Sequence, residues 1–153
     1  MQTFIPYASH NLTAQSLDQK RLGKQRVESW QILNTLDHLS RNDLYMIDKN
    51  GRRRKRGWIS HPAVLMWQGH EWFLCLYSEA ICKEWIARGY KDTMLPRFEA
   101  WREAHPNANK NAPFWWGIEA IHRSHRSKLL EKHYDHYKSF FTDVEAGMDY
   151  IWP

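Results

Sequence analysis

The sequence predicts an all-α fold: a compact single domain over residues 1–153, with three main helices and a short basic hairpin or loop inserted between the first two. Three observations predict it. A chain of 153 residues is the size of one domain and can bury a core without metal or disulfide staples. Apolar residues recur at helical spacing in three long stretches. The one β-prone run is short and leads straight to Asn50-Gly51, the strongest short hairpin signal.

Taken in order, the first ten residues, with Pro6, read as extended. Ser16 is placed as the N-cap of a helix over about Leu17–Leu39. Ile32, Leu33, Leu36 and Leu39 set its inward side, and helical spacing carries that stripe back through Ser29, Gln25, Leu22 and Asp18. The buried face is therefore apolar at one end and polar at the other, as on a helix that borders a cleft. After Asn50-Gly51 come five consecutive cations, Arg52, Arg53, Arg54, Lys55 and Arg56, placed either to grip phosphates or to form a solvated tip. A second long helix is expected from Pro62, at the first helical position behind Ser60 or His61, to a stop at Gly89. It is apolar nearly all round and should be the core helix, with Gly69 bending it or allowing close packing. The stretch from Lys91 to Asn107 has room for one short helix, and Ala108–Trp116 reads as a loop. A third helix runs from about Gly117 to Lys132, followed by an aromatic tail.

The composition is basic and rich in rings. Net charge is +5, with nine Trp, seven Tyr, six Phe and nine His. That balance points to a nucleic-acid partner ahead of a membrane or a small metabolite. Hydrophobic residues make up 42%, near the globular average, which argues against disorder. Cys75 and Cys82 stand seven apart on a helical stretch, about two turns, too far for a disulfide, so reduced thiols are expected. No signal-peptide pattern and no membrane-length apolar run is present, and a cytoplasmic protein is expected.

Two constellations bear chemistry. The first is Arg21, Lys24 and Arg26 with a single acid, Glu28; Arg21 and Glu28 lie seven apart, nearly in line on one edge of the helix. Cations can position phosphates while a carboxylate stabilises a sugar cation, moves a proton or steers an amine. A surface Lys24–Glu28 pair is the plainer reading. The second is His122, Arg123, His125 and Arg126. Two His three apart can share a metal, but Arg neighbours weaken such a site and no acid or Cys sits at ligand spacing, so no metal is expected and phosphate contact is the better reading. The rings of the last third can stack on bases or pack the core. No nucleophile triad, phosphate-binding glycine loop or paired-cysteine zinc pattern appears.

Three stretches, "LDQKRLGKQRVE", "GHEWFLCLYSEAICKEWIARGYKDT" and "IEAIHRSHRSKLLEKHYDHYKSFF", resemble in order and spacing the three helices of the pyrimidine-dimer DNA glycosylase family, the phage endonuclease V type. "MQTF", "RLGKQRVE", "HRSHRS" and "YIWP" are similar to its bacterial branch. The resemblance implies a cofactor-free, monomeric enzyme that binds damaged double-stranded DNA, attacks the sugar of the damaged nucleotide with its N-terminal α-amine, releases the base and then cuts the strand by β-elimination. An α-amine, whose ordinary pKa is about 8, is partly neutral at neutral pH. The resemblance places the glutamate at Glu28, phosphate contacts at Arg21 and Arg26, and a lesion-side contact at Gln19. Two departures accompany it. Phage members carry a small residue after Met, whereas Gln2 here disfavours trimming, so the amine is expected on Met1. A strict alignment from Asp18-Gln19 puts Val27 in the glutamate's slot; Glu28, the one acid after Asp18 in the stretch, requires a one-residue offset.

The expected catalytic pair is thus Met1 and Glu28, and the expected DNA contacts are Gln19, Arg21, Lys24, Arg26, Arg52, Arg53, Arg54, His122, Arg123, His125 and Arg126. Three other readings are open: excision of a different modified base, a DNA-binding module without chemistry, and an RNA binder using its exposed rings.

Overall fold

In the computed structural model, which describes residues 1–153, an extended N-terminal segment leads into α1 (His10–Ser16) and the long α2 (Gln19–Ser40). A two-stranded antiparallel hairpin follows, β1 (Tyr45–Ile47) and β2 (Arg53–Lys55), with Met46 opposite Arg54. The chain continues through α3 (Pro62–Leu65), α4 (Glu71–Ala87), α5 (Leu95–Ala104), α6 (Glu119–Lys132) and the short α7 (Tyr134–Tyr137). The all-α class holds, and α2, α4 and α6 are the three main helices. Helix α4 is the hub and packs against α1, α2 and α5.

Helix α2 has the inward face expected of it: Leu22, Gln25, Ser29, Ile32, Leu33 and Leu36 are buried. Its start differs. Ser16 does not cap it; Ser16 closes α1, a helix absent from the sequence reading, and donates its hydroxyl to the Thr13 carbonyl (2.9 Å). Leu17 turns the chain as a fully buried extended joint, and Asp18 takes the N-cap position. The Asp18 carboxylate caps no backbone N–H; it accepts from the Tyr137 hydroxyl and ion-pairs with Arg21. Helix α1 escaped notice because Asn, Thr and Ser are poor interior helix formers; it is held by its Ser9 cap, which accepts from the Leu12 N–H, and by packing on α4.

The second long helix is broken. Pro62 opens α3 at its first turn, with the His61 ring accepting from the Ala63 N–H (3.0 Å). Helix α3 stops at Leu65, and the chain turns through Gly69 at φ +81°, a left-handed conformation that no continuous helix takes, before α4 begins. Gly23 plays a different part. A side chain there would meet the Trp85 ring at 3.1 Å, so glycine lets α4 lie close against the start of α2. Cys75 and Cys82 are both free and buried. No helix is long and apolar enough to cross a membrane.

Candidate active site

The N-terminal segment joins no sheet; side chains from three helices serve as hydrogen-bond partners for its backbone at Gln2, Phe4, Ile5 and Pro6. Gln25 of α2 works on both sides: its Oε1 accepts from the Phe4 N–H (3.0 Å) and its Nε2 donates to the Gln2 carbonyl (3.0 Å). Tyr77 of α4 donates its hydroxyl to Gln25 Oε1 (2.6 Å) and the Phe4 carbonyl (3.0 Å). From α6, His125 Nδ1 accepts from the Ile5 N–H (2.9 Å), His122 Nδ1 donates to the Ile5 carbonyl (2.8 Å), and Arg126 Nη1 donates to the Pro6 carbonyl (2.6 Å). Further along, the Trp67 indole donates to the Thr3 hydroxyl (3.0 Å).

These contacts correct three expectations. His122, His125 and Arg126 are buried and face the protein's own backbone, so they are not free to meet a phosphate. The Arg126 charge is met by Glu119 and Asp143. Both His rings are neutral in the fold: burial lowers His122 from its ordinary value and takes His125, with the nearby His122 adding, down to about 3. An unfolded His takes a proton below about pH 6.5, whereas folded His125 does not. Its contribution to stability is complete above that pH and is lost as pH falls from 6.5 toward 3, by up to about 1.4 kcal/mol per pH unit. We expect His125→Asn, which keeps an acceptor for the Ile5 N–H, to lose less melting temperature between pH 7 and pH 5 than the parent protein. An equal loss would exclude His125 as the group responsible.

The segment delivers Met1 to a cleft of about 370 Å³ lined also by Glu28, Gln25, Lys20, Arg21, Lys24 and Lys132. The cleft thus holds four cations and a single acid. Val27, the strict-alignment alternative, lies 46% exposed and outside it. Glu28 is oriented from behind. Burial, with the Glu28 carboxylate adding, holds the Tyr77 hydroxyl well above its ordinary pKa, so it stays a donor. That fixes which way round the Gln25 amide sits, and Gln25 Nε2 donates to Glu28 Oε2 (3.1 Å). A second, wider groove of about 600 Å³ shares Lys20, Arg21 and Lys24 with the first and adds Gln19, His133 and His136. The two make one continuous basic surface along the start of α2, suited to a run of phosphates.

The remaining expected contacts scatter. Arg26 is committed elsewhere: its Nε and Nη2 donate to Asp92 Oδ1 (2.7 and 2.6 Å) and its guanidinium lies 4.9 Å over the Trp85 ring. Burial of Asp92 is outweighed by the Leu95 N–H, Arg26 and the Met94 N–H, and its carboxyl is held below its usual value. Because the Asp92 side chain is 0% exposed, Arg26→Met should cost about 2–3 kcal/mol in urea unfolding by stranding that charge; unchanged stability would return Arg26 to the DNA contacts. Arg123 sits outside the cleft, paired with Asp143 (3.5 Å). Arg52, Arg53 and Arg54 are exposed on the hairpin, Arg54 paired with Asp48 (2.6 Å). Lys132, His133, His136, Gln25 and Tyr77 were missed as site residues, since folding alone brings the end of α6 and the middle of α4 to the start of α2.

Residues 1–97 match the family described as pyrimidine dimer DNA glycosylase, a stretch that contains Met1, Gln25, Glu28 and Tyr77. The chain belongs to the pyrimidine dimer DNA glycosylase family. No curated protein and no solved structure matches it. Family membership makes the chain an enzyme of DNA repair with DNA as its substrate. Lys132, His133 and His136, and the α6 side chains that hold the glycosylase's N-terminal segment, lie beyond the matched residues.

Proposed function

We propose that the chain excises damaged pyrimidines such as cyclobutane dimers from duplex DNA, with the Met1 α-amine as nucleophile and Glu28 as acid–base partner. The observation that carries this reading is the sharing of one cleft by Met1 and a lone carboxylate amid Lys20, Arg21, Lys24 and Lys132. The cations draw the phosphates either side of the damaged nucleotide to the cleft. The neutral amine attacks the anomeric carbon; the new C–N bond forms as the glycosidic bond breaks, and the base departs with its electron pair and takes up a proton. Loss of the amine proton and opening of the sugar ring leave an iminium between Met1 and the sugar. Glu28 stabilises the cationic sugar and moves these protons. Removal of a proton from the adjacent sugar carbon then expels the 3′ phosphate, the lyase step. Neutral His122 and His125, with Arg126, support the reading by fixing the segment that carries the amine.

The test is reductive trapping. Borohydride is added to the protein with ultraviolet-damaged, abasic or intact duplex. A covalent band on damaged and abasic duplex, mapping to Met1, is expected. Base release without any band would overturn the amine mechanism, and no release from damaged duplex would overturn the substrate.

A further inference from the structure

The repeated motif "HRSHRS", His122 to Ser127, holds more than the N-terminal segment. Its two histidines hold Ile5. Its two serines, both buried, hold residues 142–153, a stretch with no helix or strand. Ser127 Oγ donates to the Glu145 carbonyl (2.6 Å) and accepts from the Met148 N–H (3.0 Å). Ser124 Oγ accepts from the Ile151 N–H (3.2 Å), and Glu131 Oε1 accepts from the Gly147 N–H (3.0 Å). Less than two turns of α6 therefore hold the first and the last residues against each other.

Tyr150 is the residue that this arrangement brings to the N-terminal segment. Its ring stacks on His125 with centroids 4.7 Å apart, and its hydroxyl lies 3.4 Å from His125 Nδ1, the nitrogen that accepts from the Ile5 N–H. The same hydroxyl has the Gln2 side chain as a hydrogen-bond partner. Burial pushes the Tyr150 hydroxyl well above its ordinary pKa and the Gln2 contact draws it only partway back, so it stays protonated. Trp152 meets Tyr150 at 4.7 Å and His61 edge-on at 6.1 Å. His61 is near enough to the amine to feel it: burial, with the Met1 amine charge adding, lowers its pKa.

Gln2 lines the cleft beside Met1, and its carbonyl accepts from Gln25 Nε2 (3.0 Å). A bond to the backbone fixes one point of a residue. A second bond, through the side chain, fixes its orientation and with it the direction in which the chain presents Met1. We propose that Tyr150 is a positioning residue for the Met1 amine: it anchors the Gln2 side chain and backs the His125 ring, so that the segment after α7 completes the seat of the nucleophile. This role rests on the amine mechanism proposed above. It also gives the long residue after Met1 a task, since a small side chain there has no amide to offer Tyr150.

The test is a double-mutant cycle. Tyr150→Phe keeps the ring on His125 and loses the hydroxyl. Gln2→Met keeps an unbranched side chain of similar length and loses the amide; it is equally bulky, so Met1 is retained, which mass spectrometry checks. The readouts are the rate of borohydride-trapped adduct formation on abasic duplex at saturating protein and the dissociation constant by gel shift. Each single variant should form adduct about three- to tenfold more slowly at an unchanged dissociation constant, because one hydrogen bond is lost and no phosphate contact is. The double variant should be no slower than the slower single variant, because both changes remove the same contact. A Tyr150 that only supports the fold would lower the melting temperature and leave the adduct rate of the folded protein at the parent value. That outcome, or losses that multiply in the double variant, would overturn the anchor and leave the amine mechanism standing. Base release by the parent protein without any adduct would overturn the amine mechanism and the anchor with it.

Discussion

Glu28→Gln should slow base release from damaged duplex by about 10²–10⁴-fold and leave the dissociation constant for that duplex within a few-fold. The geometry makes this a clean substitution. Gln25 Nε2 donates to Glu28 Oε2 at 3.1 Å, and a glutamine at that position accepts the same bond through its own carbonyl oxygen. The contacts that Gln25 and Tyr77 make with the N-terminal segment then stay as they are, and Lys20, Arg21, Lys24 and Lys132 still line the cleft. What is lost is the one group in the cleft able to stabilise a sugar cation and pass a proton. Single-turnover release on ultraviolet-damaged duplex, paired with gel-shift titration, separates the two effects. Release at the parent rate would remove Glu28 from the mechanism, and a matching collapse of binding would make it a structural residue.

Blocking the Met1 amine should abolish the borohydride adduct altogether. Acetylation, or a Gly-Ser extension ahead of Met1, acts on a segment whose path is set from Gln2 to Pro6 by Gln25, Tyr77, His122, His125 and Arg126. An acetylated amine has no basic lone pair to attack carbon. An extended chain keeps an amine but carries it several ångströms beyond its place in the cleft that Met1 shares with Glu28, and effective molarity falls steeply with such displacement. Duplex binding should persist in both forms, since the cations are untouched. An undiminished adduct on blocked protein would point to a lysine of the cleft, with Lys20, Lys24 and Lys132 as the candidates.

How far the sequence was legible depended on the range of the interactions. The inward face of α2 could be read from the spacing of Ile32, Leu33 and Leu36, and the polar continuation through Ser29 and Gln25 correctly marked the cleft end of the helix. The Asn50-Gly51 hairpin and the bounds of α6 were legible for the same reason: turn chemistry and helical period are local signals. The roles of His122, His125 and Arg126 were not. Locally they read as cations on a helix surface, and their partners lie 117 to 120 positions away in the chain. Arg26 misled in the same way, because Asp92 is 66 positions distant. Helix α1 was hidden by weak propensity, and the break between α3 and α4 by the ease with which a lone glycine fits a helical pattern.

The clasp on the N-terminal segment also has a bearing on how the protein is made. Ile5 finds its side-chain partners on a helix synthesised more than a hundred residues after it. Gln25 and Tyr77 are made sooner and can engage Gln2 and Phe4, but the Ile5 and Pro6 contacts wait for α6, and contacts so distant in sequence form last. The clasp on the N-terminal segment is therefore completed only as α6 docks. On the amine mechanism proposed above, any enzyme that trims or caps nascent termini within that interval decides the nucleophile before the fold is complete.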